Sequence, residues 1–130
     1  MALLAARESV MVRFRPLLAE HGLTEQQWRV IRALAAAGSL DATGVADATN
    51  LLPPSITRIV SKLDEMALVE RSPATADQRR TMIELSLSGQ ALFALVAPQS
   101  EAIYQSIEES FGSERLERLL DELVELQEAT

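Results

Sequence analysis

The chain has 130 residues, 48% hydrophobic and 24% charged, enough apolar material for one domain's core and too much for a chain disordered throughout. No run approaches the roughly 18 apolar residues that span a membrane. There is no cysteine, so disulfides, thiolate metal sites and thiol chemistry are excluded. The net charge is −7, and it is uneven: residues 1–22, 23–52, 53–87 and 88–130 contribute +1, −1, 0 and −7. Screening fades charges beyond roughly 8 Å, so a basic face remote from the acidic last third still acts locally.

The opening, Met1 to Glu8, lacks the basic flank and cleavage site of a signal peptide, so a cytoplasmic protein is expected. Over residues 1–19 Leu3, Leu4, Val10, Met11, Phe14, Leu17 and Leu18 recur at helical spacing, and His21-Gly22 ends that helix. Thr24 to Gln27 fits a capping box for a second helix carrying Trp28, Val30, Ile31 and Leu34. Ser39-Leu40-Asp41 reads as a break or a stub of strand. A short helix over Ala42–Thr49, a turn at Asn50-Leu51-Leu52 and a helix over Pro54–Met66 follow, with Ile56, Ile59, Val60 and Leu63 facing inward.

After Leu68 the period becomes two. Val69–Ser72 and Thr81–Leu87 predict a hairpin, with Ile83, Leu85 and Leu87 on its inner face. Its tip, residues 73–80, is too polar to bury. A long helix from Ser86 contains Pro98, a place for a kink, and a last helix follows Ser113 with Leu116, Leu119, Leu120, Leu123, Val124 and Leu126. The fold class is therefore mainly α with a small β-hairpin wing. A helix-turn-helix lobe (23–87) stands between terminal helices (1–22 and 88–130) that have no partner in sequence. Two chains that intertwine at these ends cover each other, which predicts a homodimer.

A short helix, a tight turn, a second helix and a hairpin make a winged helix-turn-helix. One helix fills the major groove with its N-terminal residues at base edges. Here those are Pro54, offering methylenes to a thymine methyl, Arg58, forking onto guanine, and Ser55. Thr57, Ser61 and Lys62 suit phosphates. Arg79 and Arg80 stand at the end of an extended lever suited to a narrow minor groove. Residues 77–80 taken alone suit a solvated hairpin tip better than a DNA contact, and Arg58 and Lys62 also suit an ordinary exposed helix. The helix pair before them and the strand after favour DNA.

The run from Leu40 to Leu68, followed by Asp77-Gln78-Arg79-Arg80 and Leu85-Ser86-Leu87-Ser88-Gly89, resembles the MarR family of dimeric bacterial transcription regulators. Phe14-Arg15-Pro16, His21 to Arg29 and Leu52-Pro53-Pro54-Ser55 are similar to the branch that regulates homoprotocatechuate (4-hydroxyphenylacetate) catabolism. The resemblance implies that Asp77 steadies the wing, Arg79 enters the minor groove and the helix from Pro54 reads the major groove. There are two departures: Ala67 stands where the family has glycine after the recognition helix, and Leu52-Pro53 replaces a polar cap.

The resemblance also places effectors between the dimerisation helices and the DNA-binding lobe, near residues 15–28. An arginine beside an aromatic ring and a histidine suits an aromatic carboxylate, which makes Arg15, His21 and Trp28 the ligand candidates. His21 equally suits a helix end and Trp28 a core position. The expected function is a repressor of an aromatic-compound catabolic operon, bound to a pseudo-palindromic double-stranded operator and released by a small aromatic acid. The alternatives are a different small-molecule effector, or a helical protein–protein adaptor without DNA binding. No Ser/His/Asp order, glycine-rich phosphate loop or metal-spaced set is present, so no enzyme, cofactor or metal is expected.

Overall fold

The computed structural model describes residues 1–74 and 79–130. Its elements in chain order are α1 (Ala2–Glu20), α2 (Glu25–Ala37), β1 (Ser39–Leu40), α3 (Ala42–Thr49), α4 (Pro53–Glu65), β2 (Val69–Pro73), β3 (Thr81–Leu85), α5 (Leu87–Phe111) and α6 (Ser113–Ala129). The expected class holds. The α2 capping box forms in full: Thr24 Oγ1 accepts from the Gln27 N–H at 3.1 Å, and Gln27 Oε1 accepts from the Thr24 N–H at 3.0 Å. Two otherwise unpaired donors are satisfied by local spacing alone.

The stub at Ser39-Leu40 is a true strand. It pairs with β3, Leu40 opposite Ile83, so the hairpin becomes a three-stranded antiparallel sheet in the order β1-β3-β2. A lone hairpin is marginal in water, and this third strand ties the wing's root to the start of α3. The core lies under the sheet: Trp28, Val30, Ile31 and Leu34 of α2 meet Val45, Ile56, Leu63, Ile83, Leu85 and Val96.

The chain turns from β3 to α5 earlier than its alternation suggests. Leu87, expected on the inner face, is 83% exposed. Ser86 intervenes: its hydroxyl accepts from the Gly89 N–H at 3.0 Å and donates to the Ala67 carbonyl at 2.7 Å. That cap starts a helix where the pattern alone would continue a strand. Gly89 then passes so close to Leu68 that a Cβ would lie 2.1 Å from the Leu68 carbonyl oxygen, so only glycine fits. Pro98 sits inside α5 without ending it.

The exit from α4 is left-handed, as a glycine would make it, but it is built on alanine. Leu68 N–H donates to Leu63 O and Ala67 N–H to Asp64 O, with Ala67 at φ 59°. This is a Schellman closure. The same closure ends α1, where Leu23 N–H reaches Leu18 O and Gly22 N–H reaches Ala19 O, with Gly22 at φ 68°. Outside the lobe, α1 buries only Leu17 and Leu18, and α6 buries nothing.

Candidate nucleic-acid interface

Helices α3 and α4 are positioned by their ends. Asp41 caps α3, its Oδ1 accepting from the Gly44 N–H at 2.8 Å, and Asn50 closes it in the left-handed conformation at φ 58°. Leu52 then opens α4 with no side-chain hydrogen bond, and Pro53 and Pro54 fill its first turn. A proline there has no N–H to satisfy, which replaces the missing polar cap. Ile56, Ile59, Val60 and Leu63 are buried, and the opposite face of α4 is turned outward. Pro54, Thr57, Arg58 and Lys62 are exposed on it, with Ser55 and Ser61 half-buried. The six residues expected to meet DNA from this helix therefore share its accessible side.

Their partners differ. Thr57 Oγ1 donates back to the Pro53 carbonyl at 3.3 Å, and Lys62 Nζ lies 3.5 Å from a Glu65 oxygen. Arg58 has no ion pair among the described residues. Arg58 and Lys62 line a groove of about 490 Å³ shared with Thr24, Glu25, Gln26 and Gln27 at the amide end of α2, so its two cations face one carboxylate. A helix N-terminus adds partial positive charge there.

The wing is held to both helices by ion pairs. Arg71 of β2 meets Asp64 of α4 at 2.9 Å, and Arg80 meets Asp41 at 3.1 Å. The Arg80 carbonyl also accepts from the Ala74 N–H at 2.9 Å across the foot of the loop. Arg79, one residue further toward the tip, is exposed. Asp77, expected to steady the wing, lies outside the described residues. Arg80, expected in the minor groove beside Arg79, has its guanidinium on Asp41 in the absence of DNA.

The three effector candidates are not joined to one another by any hydrogen bond or ion pair among the described residues. Arg15 is engaged elsewhere. Its Nη1 and Nη2 grip the Glu8 carboxylate, and Nη2 lies 3.7 Å from Glu25 Oε2. The Glu8 hydrogen bond holds the Arg15 pKa above its ordinary value, and the same contact holds Glu8 below its own. The fork expected to take a ligand carboxylate has thus closed on two of the chain's own, because Glu8 lies two helical turns earlier on the same face. His21 is half-buried at the C-terminal end of α1.

Trp28 is only 5% exposed and stacks on Phe93 of α5, ring centres 5.6 Å apart. Its indole Nε1–H is buried with no acceptor among the described residues. Arg32, one turn after Trp28 on α2, is exposed. Arg32 lines a shallow groove of about 530 Å³ with Arg29, Ala33, Ala36 and Leu40. Arg29 is tied to the Thr49 carbonyl at 3.2 Å, whereas no carboxylate meets Arg32 among the described residues.

Comparison with known proteins agrees with this architecture. The MarR family model matches residues 21–80. The homoprotocatechuate degradative operon repressor of Escherichia coli is 41% identical over 128 residues, covering 96% of this chain and 86% of that protein. Among solved structures, the transcriptional regulator PA4135 superposes with a TM-score of 0.90 at 43% identity, covering 99% of this chain and 95% of the other. NadR in complex with 4-hydroxyphenylacetate gives 0.84 at 39%, covering 96% and 89%. No helix among the described residues is long and apolar enough to cross a membrane. A helix-turn-helix with an outward recognition face, a sheet-rooted wing and this extent of likeness place the chain in the MarR family of DNA-binding transcriptional regulators, which are not enzymes.

Proposed function

We propose that the protein is a homodimeric, cytoplasmic repressor of an aromatic-compound catabolic operon. In this reading the lobe of residues 23–87 carries the DNA contacts, and residues 1–22 and 88–130 join two chains. The observation that carries it is the outward face of α4, where Pro54, Ser55, Thr57, Arg58, Ser61 and Lys62 stand opposite a buried apolar stripe. A two-fold axis would set two such helices about 34–36 Å apart, or a multiple of that distance, on a pseudo-palindromic operator. Arg79 of each wing then reaches the minor groove, and Asp77 steadies the wing, as the family resemblance implies.

An aromatic acid is the favoured effector. Trp28 supplies a ring and a buried N–H lacking an acceptor among the described residues, a donor that a ligand oxygen would satisfy. His21 closes the nearby end of α1. Because Arg15 on α1 is held by Glu8 and Glu25, it grips a ligand carboxylate only by exchanging partners. Two relatives point the same way: a homoprotocatechuate degradative operon repressor, and NadR, solved in complex with 4-hydroxyphenylacetate. An effector releases DNA only by preferring a lobe spacing that misfits the two grooves.

Mobility shifts with operator and scrambled duplexes at matched salt test the first half. Equal affinity for both ends the repressor reading, and a flat salt dependence favours the adaptor, since phosphate contacts demand a steep negative slope. Arg79→Ala is expected to weaken operator binding by about a few kcal/mol per dimer. Thermal shifts with 4-hydroxyphenylacetate and its catechol test the second half. A ligand that raises the melting temperature and frees the operator supports it; a ligand that does neither refutes it.

A further inference from the structure

One carboxylate stands where the wing meets the helix-turn-helix. Asp41 leaves β1 and opens α3, and its two oxygens do different work. Oδ1 accepts from the Gly44 N–H at 2.8 Å, while Oδ2 accepts from Arg80 Nε–H at 3.1 Å. The Gly44 hydrogen bond, with the Arg80 charge behind it, holds the Asp41 carboxyl below its ordinary pKa, so it is ionised at neutral pH. Arg80 is fixed from other sides as well. Its carbonyl takes the Ala74 N–H, its Nη2 lies 4.0 Å from Met82 Sδ, and Thr81 after it begins β3. β3 is in turn paired to β1, Ile83 opposite Leu40, the residue just before Asp41.

We propose that Arg80 is a positioning residue and not a DNA contact: its ion pair with Asp41 braces the foot of the wing on α3 and fixes where Arg79 leaves it. The inference rests on the reading that the wing meets DNA. Two consequences separate a brace from a contact. If Arg80 gripped a phosphate it would have to leave Asp41, stranding a carboxylate beside the DNA backbone; Asp41 would then be a competitor, and neutralising it would tighten binding. If Arg80 stays on Asp41, neutralising either partner loosens the wing and weakens binding, without removing a phosphate contact. The two readings differ in sign.

The test uses the full chain and a duplex that the wild-type protein has enriched from a random pool. Asp41→Asn keeps the α3 cap, because asparagine caps as well as aspartate, and removes only the charge. Expected for both Asp41→Asn and Arg80→Gln is a loss of up to about fivefold per wing, the ceiling for an exposed ion pair. The double variant should be no worse than either single one, Arg80→Lys should bind nearly as wild type, and the slope of log K on log salt should be retained. Tighter binding by Asp41→Asn overturns the proposal. So does a slope reduced by about two per dimer in Arg80→Gln, the loss of one phosphate contact per wing, and so does wild-type affinity in both variants. A wild-type chain that enriches no duplex sinks the DNA reading and the brace together, before any variant is made.

Discussion

Helices α4 and α6 carry the same kind of pattern and meet opposite fates. α4 places Ile56, Ile59, Val60 and Leu63 at helical spacing and buries all four. α6 places Leu116, Leu119, Leu120, Leu123, Val124 and Leu126 at the same spacing and buries none, leaving Leu119, Leu120, Val124 and Leu126 between 43% and 52% exposed. The difference is what the chain supplies opposite. α4 has α2, α3 and β2 within the lobe, whereas α6, among the described residues, packs chiefly on α5. An apolar stripe states that a face must be covered, and it does not state by what. Exposed Leu3, Leu4, Val10 and Val12 on α1 make the same demand at the other end. In the proposed dimer, this apolar surface is what the second chain covers.

The contrast is broken most strongly from the α6 side. Leu120→Glu puts a charge into the stripe without touching the lobe; dissociation into monomers should follow, with operator affinity reduced by about 100-fold or more as the second lobe is lost. Size-exclusion chromatography and a mobility shift on one sample check both outcomes. From the α4 side, Leu63→Ala empties a fully buried site and should lower stability by about 2–5 kcal/mol in urea unfolding, through the cavity it leaves. If instead the dimer dissociates first, the lobe and the ends are not the separate units described.

A smaller effect compares the two Schellman closures. Gly22 and Ala67 occupy the same left-handed position, and only alanine strains it. Ala67→Gly should therefore stabilise the protein by about 1 kcal/mol, and Gly22→Ala should destabilise it by a similar amount, in the same unfolding assay. Loss of stability in Ala67→Gly would mean that stiffness at the α4 exit outweighs strain.

Acid gives the gentlest probe. Asp41 in the lobe and Glu8 on α1 are both held below their ordinary pKa, by the Gly44 amide and by Arg15 respectively. Folded, each binds fewer protons than unfolded as pH falls, so its contribution is complete above about pH 5 and is lost as pH drops through the ordinary carboxylate range and below. Glu8 is exposed and Asp41 only half-buried, so the effect is small. Asp41→Asn should flatten part of the acid limb of a melting-temperature profile, and an unchanged limb would remove Asp41 from it.

How much of this was legible in the sequence depends on how far apart the partners lie. The Thr24–Gln27 box, the proline-led α4 and the inward Ile83 and Leu85 are local, and their spacing gives them away. Leu87 was misplaced because Ser86 serves as a cap as readily as a strand residue, and only Gly89 and Ala67 in three dimensions decide between them. Ala67 at positive φ was invisible because nothing in an alanine announces left-handed backbone; the family's glycine at that position was the one hint. The Asp41–Arg80 pair spans 39 residues and depends on β1 joining β3. Arg15 was read for its charge, and its commitment to Glu8 appears only once both lie on one helical face.

The arrangement of lobes and ends is tested most directly by sedimentation equilibrium of the full chain at micromolar concentration, without DNA. A mass of two chains, falling to one in Leu120→Glu, is the expected result. A wild-type chain that sediments as a monomer would leave the α6 stripe bare and give the two recognition helices no common frame.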